Sequence, residues 1–83
     1  MNPYLRAAEE RLRADRLDSD ALFTRAAFLA GRGELETAAG TLNRVADVDP
    51  EYPGLWRFLA RLYEEMGEDR LAGLCLARAA LTG

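Results

Sequence analysis

The chain contains no histidine and no lysine, and its only cysteine is Cys75. A thiolate and imidazole cluster for a metal ion therefore has no ligands to draw on, and one cysteine cannot close an internal disulfide. That cysteine usage fits a cytoplasmic protein. The same absences remove the common nucleophile and base pairs, which need histidine, lysine or a cysteine with a partner. Enzymatic activity is not expected, nor is a cofactor or a metal. Carboxylates remain, densest at Glu64, Glu65, Glu68 and Asp69. At a helix end and turn these read as a hydrated surface rather than a glycosidase pair or a divalent-cation site.

Every cation is an arginine, 11 of them against 14 carboxylates, for a net charge of -3. No basic run follows a phosphate backbone, so nucleic acid is not an expected partner. Nor is a membrane, because apolar residues never run for the roughly 18 positions that a spanning helix needs. The opening Met-Asn-Pro-Tyr-Leu-Arg lacks the apolar centre of a secretory signal. Proline is confined to Pro3, Pro50 and Pro53, while alanine and leucine together supply 29 of the 83 residues. A chain so composed is expected to be all-α, and at this length it has a shallow core with no room for a buried chamber.

What the sequence does contain is a repeat. Ala26 and Ala60, Gly33 and Gly67, Glu34 and Glu68, Ala38 and Ala72, Leu42 and Leu76, and Arg44 and Arg78 are identical pairs, each 34 residues apart. A period of that length in a helical composition indicates stacked helix pairs.

Five helices are expected. Asn2 caps and Pro3 opens the first, which runs to about Asp15 with Leu5, Ala8 and Leu12 on its inner stripe. After a turn at Leu17-Asp18-Ser19-Asp20, the second carries Leu22, Ala26 and Leu29 inward and ends at Gly33. The third starts at Leu35, buries Ala38, Leu42, Val45 and Ala46, and stops at Asp49-Pro50. Pro53 opens the fourth, with Trp56, Leu59, Ala60 and Tyr63 inward, and the fifth runs from Glu68 or Asp69 to Leu81 with Ala72, Cys75, Leu76 and Ala79 inward. Short connections make neighbours antiparallel. Small Ala60 and Ala72 are expected to let the last two helices approach closely, with Trp56, Tyr63 and Leu76 filling the space around the crossing.

The second unit, with Trp56, Leu59, Ala60, Tyr63, Gly67, Ala72, Leu76 and Ala79, resembles a tetratricopeptide repeat. The first follows the pattern less closely, with Leu22 in the tryptophan position, Arg25 where an apolar residue is usual and Leu29 for the aromatic. The resemblance implies one domain over 1–83, made of a half repeat (1–16) and two repeats (19–52 and 53–83). It further implies antiparallel hairpins stacked as a right-handed superhelix, and a scaffold that binds a partner protein's peptide or helix on its concave face. A register that opens half-way through a repeat fits a piece of a longer protein.

Carried onto this chain, the resemblance places the groove at Phe23, Ala27, Ala30, Arg57, Phe58, Arg61 and Glu64. The carboxylate clamp of some family members, built from lysine and asparagine, has no counterpart among them. Arg57 and Arg61 instead stand four apart on one helical face, ready to hold an acidic side chain while phenylalanine takes an apolar one. The competing reading makes the phenylalanines packing residues and pairs the arginines with Glu64 or Glu65. A second expected surface is on the last helix, where Leu71, Leu74 and Leu81 fall together with Arg78 away from the inner stripe. A terminal helix of a stacked array is normally polar outside, so these leucines suggest a covered face, including that of a homo-oligomer.

Overall fold

In a computed structural model, which describes residues 2–82, the chain forms five helices and no strand among those residues. They are α1 (Pro3–Ala14), α2 (Ser19–Gly31), α3 (Leu35–Val48), α4 (Leu55–Glu65) and α5 (Asp69–Thr82). Each packs against the next in chain order, and the whole measures 34 × 25 × 16 Å. Its thinnest dimension is less than two helix diameters, so the core is a sheet of side chains between adjacent helices.

Local chemistry sets the boundaries. Asn2 Oδ1 accepts from the backbone N–H of Tyr4 at 2.8 Å and caps α1, while Pro3 occupies the first turn without wasting a donor. Asp18 caps α2 by accepting from Ala21 N–H at 3.0 Å. Both hairpins turn on a glycine in the left-handed region, Gly33 at φ 81° and Gly67 at φ 76°. There Glu34 N–H reaches back to Leu29 O at 3.0 Å and Glu68 N–H to Tyr63 O at 2.8 Å, satisfying carbonyls that the helix ends leave open. The fourth helix opens at Leu55 rather than Pro53, because successive turns from Asp49 to Tyr52 and from Tyr52 to Leu55 carry the chain past both prolines first.

Packing corrects five expected core positions, of which Leu5 and Ala46 are simply half-buried. Ala26, Ala38, Ala60 and Ala72 are buried as expected. The large side chains between the helices are Leu22, Leu42, Leu55, Leu59 and Leu62, together with Val45. Trp56 and Tyr63 are only half-buried at the edge, Trp56 Nε1 donating to Pro50 O at 2.7 Å and Tyr63 Oη accepting from Asn43 Nδ2 at 3.0 Å. An aromatic ring with a polar tip settles at such an edge, where the tip has a partner. Leu76 is 51% exposed although Leu42, its counterpart one repeat earlier, is fully buried. The cause is position in the stack: α4 covers Leu42, and no described helix follows α5 to cover Leu76.

Leu59→Ala is expected to cost about 2–5 kcal/mol, and Leu74→Ala on the exposed side of α5 to stay within roughly 0.5 kcal/mol of the parent. Urea melts followed by far-ultraviolet circular dichroism measure both, and equal costs would contradict the core assignment.

Candidate interaction surfaces

The groove side is built from α2 and α4, the first helices of the two hairpins. Its fixed point is Phe23. The ring stacks on Tyr52 with centroids 4.9 Å apart and meets the edge of Phe58 at 5.5 Å, so three aromatics from α2, the α3–α4 turn and α4 form one strip. Pairs at these distances and orientations are favourable beyond the area they bury. Phe23, Tyr52 and Phe58 are all half-buried: they pack, and each also keeps a surface toward solvent.

Tyr52 was not among the expected site residues, since Pro50-Glu51-Tyr52-Pro53 reads in sequence only as a turn. Its hydroxyl donates to Asp20 Oδ1 at 2.6 Å, which ties that turn to the start of α2. The phenol is pushed up to about 12, chiefly by burial and then by its bond to the Asp20 carboxylate, which favours the neutral, donating form. At the other side of this anchor Arg11 grips Asp18 with two parallel bonds, at 2.9 and 3.1 Å, and approaches Asp20 at 3.8 Å. The Ala21 N–H and then Arg11 hold the Asp18 carboxyl below the usual carboxylate range. One polar chain thus runs from α1 through the α2 terminus to the α3–α4 turn, and it orients the strip.

The remaining groove positions divide. Ala27, Ala30, Phe58 and Arg61 share a recess of about 270 Å³. Arg57 lines a separate recess of about 240 Å³ with Tyr52, Trp56 and Ala79. Arg57, Arg61 and Glu64 are exposed, and neither arginine forms an ion pair with Glu64, Glu65 or any other carboxylate among the described residues. The phenylalanines pack against one another and the two arginines carry no ion pair, a geometry that does not decide between the two readings.

On α5, Leu71, Leu74 and Leu81 are 40%, 59% and 84% exposed, while Leu76 is exposed on another side of the helix, about 140° from Leu71 and Leu81. Arg78 does not lie loose among them. Its guanidinium sits 5.0 Å from the Trp56 ring centroid, a cation–π contact that closes the outer edge of the second hairpin. Cys75 is buried, and burial pushes its thiol up, away from the reactive thiolate. Among the described residues no group of three or more His, Cys, Asp or Glu side chains is placed to hold a metal ion, and no helix is long and apolar enough to cross a membrane.

Two consecutive helical hairpins of period 34, each closed by a left-handed glycine and stacked on a leading helix, define a helical-repeat protein. The tetratricopeptide repeat model matches residues 19–62, just over half of the chain, and the chain belongs to that family. No curated protein and no solved structure matches it.

In an alkaline absorbance titration Tyr52 is expected to ionise at about pH 12. Because its folded value is raised above the 10.0 of a free tyrosine, the stability it contributes is present below pH 10.0 and is lost as pH rises toward 12. Tyr52→Phe removes that loss, so a parent and variant with identical alkaline melting curves would contradict the Tyr52–Asp20 bond.

Proposed function

We propose that the chain is a single domain, divided as 1–16, 19–52 and 53–83, that acts as a non-enzymatic interaction module. Tetratricopeptide repeats generally mediate protein–protein interaction, and the partner class here is accordingly a protein. In this reading a peptide or helix of the partner lies along α2 and α4. An apolar side chain rests on Phe23 and Phe58, small Ala27 and Ala30 leave room for its backbone, and Arg57 and Arg61 receive an acidic group, with Glu64 at the end of the row. The observation that carries the reading is the pair of unpaired arginines one helical turn apart beside an ordered aromatic strip. Arginine presents a planar fork suited to carboxylates, and an unneutralised pair on one face is a ready site for one.

Selection of peptides from a random display library on the intact chain tests this. Peptides combining an acidic and a bulky apolar residue are expected, and Arg57→Glu with Arg61→Glu is expected to weaken them by at least about tenfold while the circular dichroism spectrum stays helical. Undiminished binding to that variant overturns the groove reading.

The exposed leucines favour a second reading, in which Leu71, Leu74 and Leu81, flanked by Arg78 on its tryptophan, form the face of a homo-oligomer. Light scattering across a wide concentration range is then expected to give a dimer mass that Leu71→Glu with Leu74→Glu returns to a monomer. A monomer at all concentrations removes this reading and leaves the groove.

A further inference from the structure

A cleft of about 720 Å³ opens between α1, the α1–α2 turn, α2 and α3, away from the groove. Arg25, which lines it, is two residues from the groove residue Ala27 and so lies about 200° around α2 from it. Arg13, Arg16 and Arg44 join Arg25 around the cleft. None of the four forms an ion pair or a side-chain hydrogen bond among the described residues, and all are exposed. Glu9 is the one carboxylate in the lining, so four positive charges face one negative in a chain whose overall charge is -3. Leu12, Leu17 and Leu22 supply the apolar part, with Leu12 and Leu22 buried and Leu17 open to solvent.

The repeat shows why the cleft is there. Thirty-four residues on, Leu22 corresponds to Trp56 and Arg25 to Leu59, while Arg44 corresponds to Arg78. In the second unit the indole occupies this junction, bonds to Pro50 O and carries the stacked Arg78. In the first, the smaller Leu22 is fully buried beneath an open cleft, and Arg44 has no ring at that position to stack on. Charge changes at the same places, because Arg13 and Arg16 stand where the second unit has Asp47 and Pro50. Shape and charge therefore depart from the internal template together, at one junction and in one direction.

We propose that this cleft is a second binding site, independent of the groove, for an acidic segment of a partner protein in which carboxylates flank a leucine-sized side chain. The carboxylates pair with the arginines and the apolar residue settles on exposed Leu17, beside the edge of Leu12. Arginines contributed from α1, the turn, α2 and α3 surround an apolar floor, an arrangement that suits several separate monoanions with an apolar group between them.

The test uses the whole chain and a fluorescein-labelled Glu-Glu-Leu-Glu-Glu peptide, with binding read by fluorescence anisotropy at low ionic strength. Saturable binding that weakens with added salt is expected. Arg25→Ala and Arg44→Ala are each expected to weaken it about tenfold, serine in place of the peptide's leucine to weaken it as well, and Arg57→Glu with Arg61→Glu to leave it unchanged. Leu22→Trp keeps every arginine but fills the cleft as Trp56 fills its own junction, and it too is expected to reduce binding. Should that variant lose its helical spectrum, the exposed arginine variants decide alone. Absence of saturation, indifference to Arg25→Ala and Arg44→Ala, or loss only on changing Arg57 and Arg61 overturns the proposal. Displacement by inorganic phosphate at the peptide's own concentration assigns the cleft to a small anion and also overturns it. So does a concentration-dependent mass of the chain alone that Arg44→Ala abolishes, since the occupant is then the acidic α4–α5 turn of a second copy.

Discussion

Four alanines set the spacing of the structure. Ala26 with Ala38 and Ala60 with Ala72 lie buried in the two hairpins, at equivalent positions one repeat apart. A side chain of one carbon lets helix axes come close enough for the leucines on either side to interlock, and a larger residue there pushes the helices apart and loosens every contact beyond. Close hairpins expose a second face on each helix, and that face is buried only by stacking. Hence α3 covers itself with α4, and Leu42, Val45 and Ala39 are buried. The last helix carries the same need with nothing described to meet it, which is why Leu76 is half open.

This two-sided burial also explains how far the fold was legible. The repeat, the glycine turns, the helix caps and the five helices follow from residues whose conformational demands are local. Leu55, Leu62, Ala39 and Thr41 were not read as core, yet all are buried. A stripe recurring every three or four residues identifies one inward face, whereas α3 and α4 each have neighbours on two sides and bury a wider arc. Thr41 can enter that arc because its hydroxyl donates to Thr37 O at 2.9 Å and so carries no unmet donor inward. Trp56 failed in the opposite sense: its size suggested the centre, but an indole N–H needs an acceptor and finds Pro50 O at the edge.

The aromatic strip was legible where the family pattern has a helix position and illegible where it has a turn. Phe23 and Phe58 could be placed on neighbouring first helices, but the ring that joins them to the polar anchor is Tyr52, from a segment read only as turn residues. Nothing local in Arg11, Asp18 and Asp20 indicates that they end in one chain with Tyr52, 32 residues beyond Asp20. The four arginines of the cleft are harder still. They come from three helices and a turn, and only the alignment of one repeat with the next sets Leu22 and Arg44 against Trp56 and Arg78.

That difference bears on which features of a repeat are structural. In the second unit the tryptophan junction is filled, its indole N–H is bonded and its arginine is stacked, so its polar tip and its charge both have partners. In the first unit fully buried Leu22 takes the tryptophan position, and four guanidinium groups border the open cleft beside it with one carboxylate among them. That clustering opposes folding, since like charges repel. A chain of this size has only a few kcal/mol of stability to lose. A cluster of positive charge at one junction, where the second unit has Asp47 and Pro50 at two of the same places, is the cost that the proposed acidic segment would offset. The aromatic strip of α2 and α4, by contrast, is a surface the fold completes by itself, its rings already in contact.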